Sequence, residues 1–192
     1  VARTAETEGK ARVLHVVQGA VGATREEGLD YTTLLGACVA VCLHDPVARL
    51  GGMAHFVFPR KGGLLTGGPQ TGGPETGSPE TSGDARFGDV AIAALLQRLA
   101  GLGAQAPGLQ AQLCGGARVH EGRQDIGRAN VEFALSRLAE LGVRVLGTAG
   151  LGEDMGGNQV RRIRFSPCSG KLVVTAQHHS TPQDTLAGFP GR

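Results

Sequence analysis

A chain of 192 residues with 41% hydrophobic and 19% charged residues is long enough to bury one sizeable core in a single domain. Its 19 basic and 17 acidic residues leave a net charge of only +2, and aromatics make up 4% with no Trp, so the basic face and stacking platforms of a nucleic-acid binder are both missing. The longest apolar run, Leu34 to Leu43, falls far short of the roughly 20 residues of a membrane helix, and the polar start has no apolar signal core, which suits a cytoplasmic protein without membrane insertion.

Residues 1–11 read as a flexible N-terminus ahead of a folded domain over 12–176. "RVLHVVQ" (12–18) has strand character, "GAVGATREEGLD" (19–30) reads as a loop, and Cys38 to His44 reads as a strand rich in apolar residues. Asp45-Pro46 marks a turn, after which Met53 to Phe58 returns as a second strand, antiparallel if the turn closes a hairpin. Alternation then puts Met53, His55 and Val57 on one face and Ala54, Phe56 and Phe58 on the other. From Thr66, "TGGPQTGGPETGSPETSGD" repeats Thr, Gly and Pro with a period of five. Such a segment buries no core, so 66–86 reads as a solvated, mobile insertion; a flap over a substrate is the alternative.

Asp89 is placed to cap a helix through "VAIAALLQRLAGLG". "LQAQLCGGARV" reads as a strand ending at a Gly-Gly bend. Asp125 caps the clearest helix, "IGRANVEFALSRLAEL", with Val131, Leu135, Leu138 and Leu141 on one stripe and Gly142 at its end. "VRVLGTA", "VRRIRFS" and "KLVVTA" read as strands, and 177–192 as a flexible tail. These elements predict an α/β single domain with layered mixed β-sheets and flanking helices.

Four cysteines stand at 38, 42, 114 and 168. On one strand Cys38 and Cys42 would lie about 13 Å apart, too far for a disulfide, and no zinc-type spacing is present, so reduced thiols and no metal are expected. Cys38 follows a Gly36-Ala37 step where an apolar strand begins. A thiol is mostly protonated at neutral pH and needs a base, and His55 on the returning strand can supply it. Backbone N–H groups around Gly36, Ala37 and Cys38 could hold an oxyanion, and Thr32 could orient the ring. Against this, a cysteine in an apolar run is commonly a small core residue. His44 competes with His55 but suits an exposed turn; Cys42 reads as buried and Cys168 as exposed beside Pro167. Arg161, Arg162 and Arg164 read as the solvent side of a strand, or as a meeting point for acidic surfaces.

"TTLLGACVAVCLHDPVARLGGMAHFVFP" resembles the signature of the chemoreceptor glutamine deamidases, the CheD family. The likeness continues through "FGDVAIAALLQRLAGLGA", "LQAQLCGGARV", "DIGRANVEFALSRLAELGV" and "DMGGNQVRRIRFSPCSGKLVV", and so covers nearly all of Val13 to Val174. It implies that 12–176 is a deamidase domain, hydrolysing glutamine side chains of methyl-accepting chemoreceptor cytoplasmic domains to glutamate and ammonia. It implies a Cys-His-Thr set on Cys38, His55 and Thr32, no metal or organic cofactor, and in some bacteria a CheC-type phosphatase as partner. Glycines at Gly51-Gly52, Gly115-Gly116 and Gly156-Gly157 could let a receptor helix approach the backbone; ordinary turns are the alternative. This chain departs from the pattern at Ala37 (commonly Ser), Cys114 (usually Phe), Val160 (often Gly) and in the added repeat. Two other readings remain open at this point: a binding module whose triad is idle, and a cysteine hydrolase acting on another amide.

Overall fold

Two strands with both faces buried form the centre of the molecule. β4 (Val39–Asp45) and β5 (Leu50–Phe56) are buried along their whole length and pair antiparallel, Val39 opposite Phe56 and Ala40 opposite His55. Because side chains alternate across a strand, each of the two must supply apolar groups to two layers. Val39, Val41, Leu43, Ala54 and Phe56 pack against α1 (Gly88–Gly101) and α2 (Ile126–Glu140), meeting Ile92, Leu95 and Leu99 from the first and Ala134 and Leu138 from the second. The intervening Ala40, Cys42 and Met53 pack against Tyr31, Leu35, Ile163 and Phe165 of a second sheet.

That second sheet has the order β1-β3-β8-β9, made of Arg12–His15, Leu29–Leu35, Gln159–Ser166 and Lys171–His178. The central sheet has the order β2-β5-β4-β6-β7, where β2 is Val21–Thr24, β6 is Gln110–Gly115 and β7 is Arg144–Ala149. Each sheet contains one parallel pair, β1 with β3 and β6 with β7, among antiparallel ones. The layers therefore run helices, central sheet, second sheet, and the expected α/β domain with layered mixed sheets is what forms. The computed structural model describes residues 12–60, 83–118, 125–149 and 159–178; most of the five-residue repeat, Gly156-Gly157 and the chain ends lie outside them. No helix among the described residues is long and apolar enough to cross a membrane.

Several boundaries differ from the sequence reading. The stretch read as a loop over 19–30 holds β2 and the start of β3. β5 starts three residues before Met53 and stops at Phe56. The first helix has Phe87 at its N-cap; Asp89 lies in its first turn and accepts from the next amide, Val90 N–H. Asp125 does cap α2, accepting from Arg128 N–H at 3.0 Å. The buried stripe of α2 is Gly127, Asn130, Ala134 and Leu138, while Leu135 is exposed, so small residues set how closely this helix approaches the sheet. His44 is buried rather than turn-exposed: its Nδ1 meets the Pro167 carbonyl at 2.8 Å, and its ring fills the space a Cβ on Gly170 would need. All four cysteines are free, with Cys42 buried and Cys168 half-buried. The last strand continues through His178, beyond the expected boundary.

Gly51 and Gly52 are buried in the central sheet. A Cβ on Gly51 would stand 2.5 Å from the Leu43 carbonyl oxygen; one on Gly52 would stand 2.4 Å from the Gly22 carbonyl oxygen and 2.7 Å from Leu95 Cδ1. Gly52→Ala is thus expected to lower the unfolding free energy by about 1–3 kcal/mol, the usual range for overpacking. A urea titration reads it, and an unchanged midpoint would mean that β2 and α1 can move apart freely.

Candidate functional site

β3 ends at Leu35 and β4 begins at Val39, leaving Gly36, Ala37 and Cys38 as a bend between strands of different sheets. Cys38 is therefore not a strand residue but the last residue of the crossing. Three consecutive carbonyls of the bend are held: Gly36 O accepts from Ala117 N–H at 2.9 Å, Ala37 O from Asn130 Nδ2 at 3.1 Å, and Cys38 O from Gly116 N–H at 2.8 Å. Gly115 and Gly116 make this possible. Both have positive φ (108° and 68°), and a Cβ on Gly115 would stand 2.1 Å from the Cys38 carbonyl oxygen. These two glycines serve the bend that carries Cys38.

The strand register puts His55 opposite Ala40, two residues past Cys38. Cys38 and Ala40 belong to the layer between the sheets, and His55, opposite Ala40, lies on the strand that pairs with the one Cys38 leads into. His55 is 2% exposed and lines a cleft of about 370 Å³ together with His15, Val16, Val17, Gln18, Thr33 and Leu34. Gln18 links the cleft to the thiol, its Nε2 lying 3.4 Å from Cys38 Sγ.

The ring is held at one nitrogen. His55 Nδ1 lies 3.1 Å from the Val16 carbonyl oxygen and 2.9 Å from Thr33 Oγ1. A carbonyl only accepts, so Nδ1 carries the hydrogen and donates to Val16 O, with Thr33 Oγ1 as a second acceptor. In the neutral ring the lone pair is then on Nε2, which is buried and has no hydrogen-bond partner among the described residues. Thr32 does not touch the ring. Its hydroxyl donates to the Ile163 carbonyl at 2.7 Å, because neighbouring residues on β3 point to opposite faces. Its backbone acts at one remove: Thr32 O accepts from Val16 N–H at 2.9 Å, and Val16 O in turn holds the ring. The hydroxyl expected from Thr32 is supplied by Thr33.

Burial moves both groups away from charge. It pushes the Cys38 thiol above its ordinary pKa, opposed by the Cys38 backbone N–H lying against its own sulfur and by Gln18. It pushes His55 below the ordinary imidazole value, opposed by donation to Val16 O. The resting pair is a neutral thiol and a neutral imidazole. Cys42, wholly buried next to Cys114, is driven further up and stays an inert thiol. Among the described residues no group of three or more His, Cys, Asp or Glu could hold a metal. Arg164 pairs with Asp30 at the sheet surface, and Arg161 is buried.

Comparison with known proteins gives the same family by two routes. The family model described as "CheD chemotactic sensory transduction" matches residues 71–176. A chemoreceptor glutamine deamidase CheD of Thermotoga maritima is 33% identical over 81% of this chain and 87% of its own length. Probable chemoreceptor glutamine deamidases CheD of Caulobacter sp. and Rhizobium leguminosarum bv. trifolii are 32% and 36% identical, over 88% and 94% of this chain and 79% and 89% of theirs.

The two threonines make separable predictions. Thr33→Val removes an acceptor from the ring at constant shape, and is expected to lower the rate of any reaction that uses His55 as base by about tenfold, or ~1.4 kcal/mol. Thr32→Val should leave that rate alone and lower stability by about 1 kcal/mol, the usual worth of one lost hydrogen bond. Equal rates for the two variants, corrected for folded fraction, would remove Thr33 from the site.

Proposed function

The chain belongs to the CheD family, and on that premise we propose that it is a chemoreceptor glutamine deamidase, a cysteine amidohydrolase acting on glutamine side chains of proteins. The observation that carries this reading is the tautomer of His55: an Nδ1–H donated to Val16 O and Thr33 leaves a partnerless, unprotonated Nε2 in the layer that Cys38 enters. A histidine placed only for packing would bury both nitrogens satisfied.

The chemistry runs from the neutral pair. Sγ of Cys38 attacks the side-chain carbonyl carbon of glutamine as Nε2 of His55 takes the thiol proton. The tetrahedral oxyanion is received by the Cys38 N–H, which already lies against the sulfur, and by the Gln18 amide. The imidazolium returns its proton to the departing nitrogen, so ammonia leaves and a thioester remains. Water, deprotonated by Nε2, attacks the thioester; glutamate departs and the thiol regains its proton. Among the described residues the hydrogen-bond partners of the ring are Thr33 and the Val16 carbonyl, and neither is a carboxylate. The imidazolium is therefore a short-lived species, as the low pKa of the ring also requires. A CheC-type phosphatase as regulator and a cytoplasmic location belong to the same reading.

Incubation with chemoreceptor cytoplasmic fragments should convert particular glutamines to glutamates, read by mass spectrometry as about one dalton per site, with ammonia released. Cys38→Ala and His55→Ala should each lower the rate by at least about a thousandfold, the scale seen when one member of a catalytic set is removed. Binding without ammonia release would make the protein a docking module, and a cut chain would make it a protease.

The direction of the pKa shifts sets the pH dependence. With His55 depressed, kcat/KM should be flat from about pH 6.5 upward through neutrality and fall only below that, once the base is protonated. With the thiol raised, alkylation of Cys38 by iodoacetamide should reach its half-maximal rate above about pH 8.5. A thiol that alkylates fully at pH 6 would instead mean a preformed thiolate–imidazolium pair.

A further inference from the structure

The bend that carries Cys38 and the strand end that follows His55 are joined by one side chain. Asn130, on the buried face of α2, is fully enclosed and spends both hydrogens of its amide: Nδ2 donates to the Ala37 carbonyl at 3.1 Å and to the Val57 carbonyl at 2.8 Å. Ala37 immediately precedes the thiol residue, and Val57 lies two residues beyond the imidazole. The Asn130 Oδ1 is buried with no hydrogen-bond partner among the described residues. If the position served packing alone, an apolar side chain would fill it without leaving that oxygen stranded.

We propose that Asn130 is a positioning residue that aims the oxyanion-binding N–H of Cys38 and fixes the spacing between Cys38 and His55. The geometry follows from one peptide plane. In a trans peptide the carbonyl and the N–H point in opposite directions, and the Ala37–Cys38 bond is trans. Asn130 reaches in from the helix layer and draws the Ala37 carbonyl toward α2. The N–H of the same peptide, that of Cys38, is thereby turned away from the helices and into the layer between the sheets, where the sulfur and the ring are. The carbonyls on either side are held as well, by Ala117 N–H on Gly36 O and Gly116 N–H on Cys38 O.

Close approach of the helix is built into the sequence around it. A Cβ on Gly127, one turn before Asn130, would stand 2.5 Å from the carbonyl oxygens of both Gly116 and Ala117. A glycine there lets α2 settle onto the Gly-Gly bend and brings a side chain as short as asparagine within reach of Ala37. The second bond, to Val57 O, ties the end of β5 to the same amide. A shift of the bend relative to His55 must therefore break one bond or the other.

The inference rests on the deamidase reading for its kinetic consequence, but not for its chemical one. Asn130→Leu keeps the branched shape with somewhat more bulk and removes both donors; Asn130→Ala removes them with a cavity. In each, kcat toward receptor fragments is expected to fall about 10- to 100-fold with KM within about threefold, since an oxyanion donor is worth up to 10²–10³ in rate and is here misaimed rather than deleted. The pH of half-maximal iodoacetamide alkylation, followed on the Cys38 peptide by mass spectrometry, should rise in both, because the N–H that favours the thiolate is no longer held against it. Leu138→Ala, on the same helix face, is the control: it should lower the melting temperature while leaving kcat per folded molecule and the alkylation midpoint unchanged. Folded Asn130 variants with wild-type kcat and midpoint, or variants whose losses match those of Leu138→Ala at equal stability, would overturn the proposal. A wild-type protein that releases no ammonia would defeat the deamidase reading instead, and the alkylation midpoints would still decide the role of Asn130.

Discussion

In the antiparallel pairing of β4 with β5, Ala40 stands opposite His55, and the rest of the site hangs on that register. A slip of one residue would turn His55 toward the helices, where Val39, Val41 and Phe56 pack, and would bring Ala54 or Phe56 into the layer between the sheets. The slip is opposed from both sides at once. Each strand alternates large apolar groups toward the helices with Ala40, Cys42 and Met53 toward the second sheet, so any displacement misplaces two sets of side chains. Strands buried on one face only would not resist as strongly. The double burial that makes β4 and β5 read as nearly continuous apolar runs is thus also what fixes the imidazole relative to the bend.

Enclosure has an electrostatic consequence that decides the style of chemistry. A thiol and an imidazole close together in water would share a proton according to their free pKa values, near 8.5 and 6.5, and remain mostly neutral. Burial pushes the first up and the second down, which widens the gap and makes the neutral pair more favoured still. In the proposed mechanism the base therefore waits in its unprotonated form at neutral pH, and the thiolate is created only as it is consumed. The same burial acts on stability. A folded ring that is harder to protonate than an unfolded one removes stability as pH falls through about 6.5, and a folded thiol that is harder to ionise removes it as pH rises through about 8.5.

The hairpin, the faces of β5 and the position of Cys38 at the mouth of a strand were legible because each depends on nearby residues: a turn at Asp45-Pro46, alternation with period two, and a Gly-Ala step. The choice between Thr32 and Thr33 was not. Adjacent residues on a strand look equivalent until the strand's phase is known, and β3 lies in a sheet whose partners, β1 and β8, come from opposite ends of the chain. β2 was hidden by its glycine, Gly22, which is there to admit the Tyr31 ring rather than to make a turn. Gln18 carries no local mark of function: it is a polar residue just past a short strand, and only the three-dimensional crossing brings it to the sulfur. Asn130 did break the apolar stripe of α2, and a polar residue on a buried helix face is the one signal that could have drawn attention to it.

Two departures from the family pattern become less consequential once the bend is understood. At position 37 the contact made is by the carbonyl, which Asn130 holds, so the missing hydroxyl of a serine removes nothing from that bond. Cys114 stands opposite Ala40 in the register and faces the second sheet with Cys42 and Met53, where it belongs to the packing between the sheets. The groups that aim the Cys38 peptide come from the adjoining Gly115-Gly116-Ala117 backbone and from α2, through N–H donors that do not depend on the identity of the side chain at 114. What the bend requires of its neighbours is donors in three places and the absence of a Cβ in three more, at Gly115, Gly116 and Gly127. A substitution that adds one carbon at any of those glycines should therefore disturb the placement of Cys38 more than either departure does.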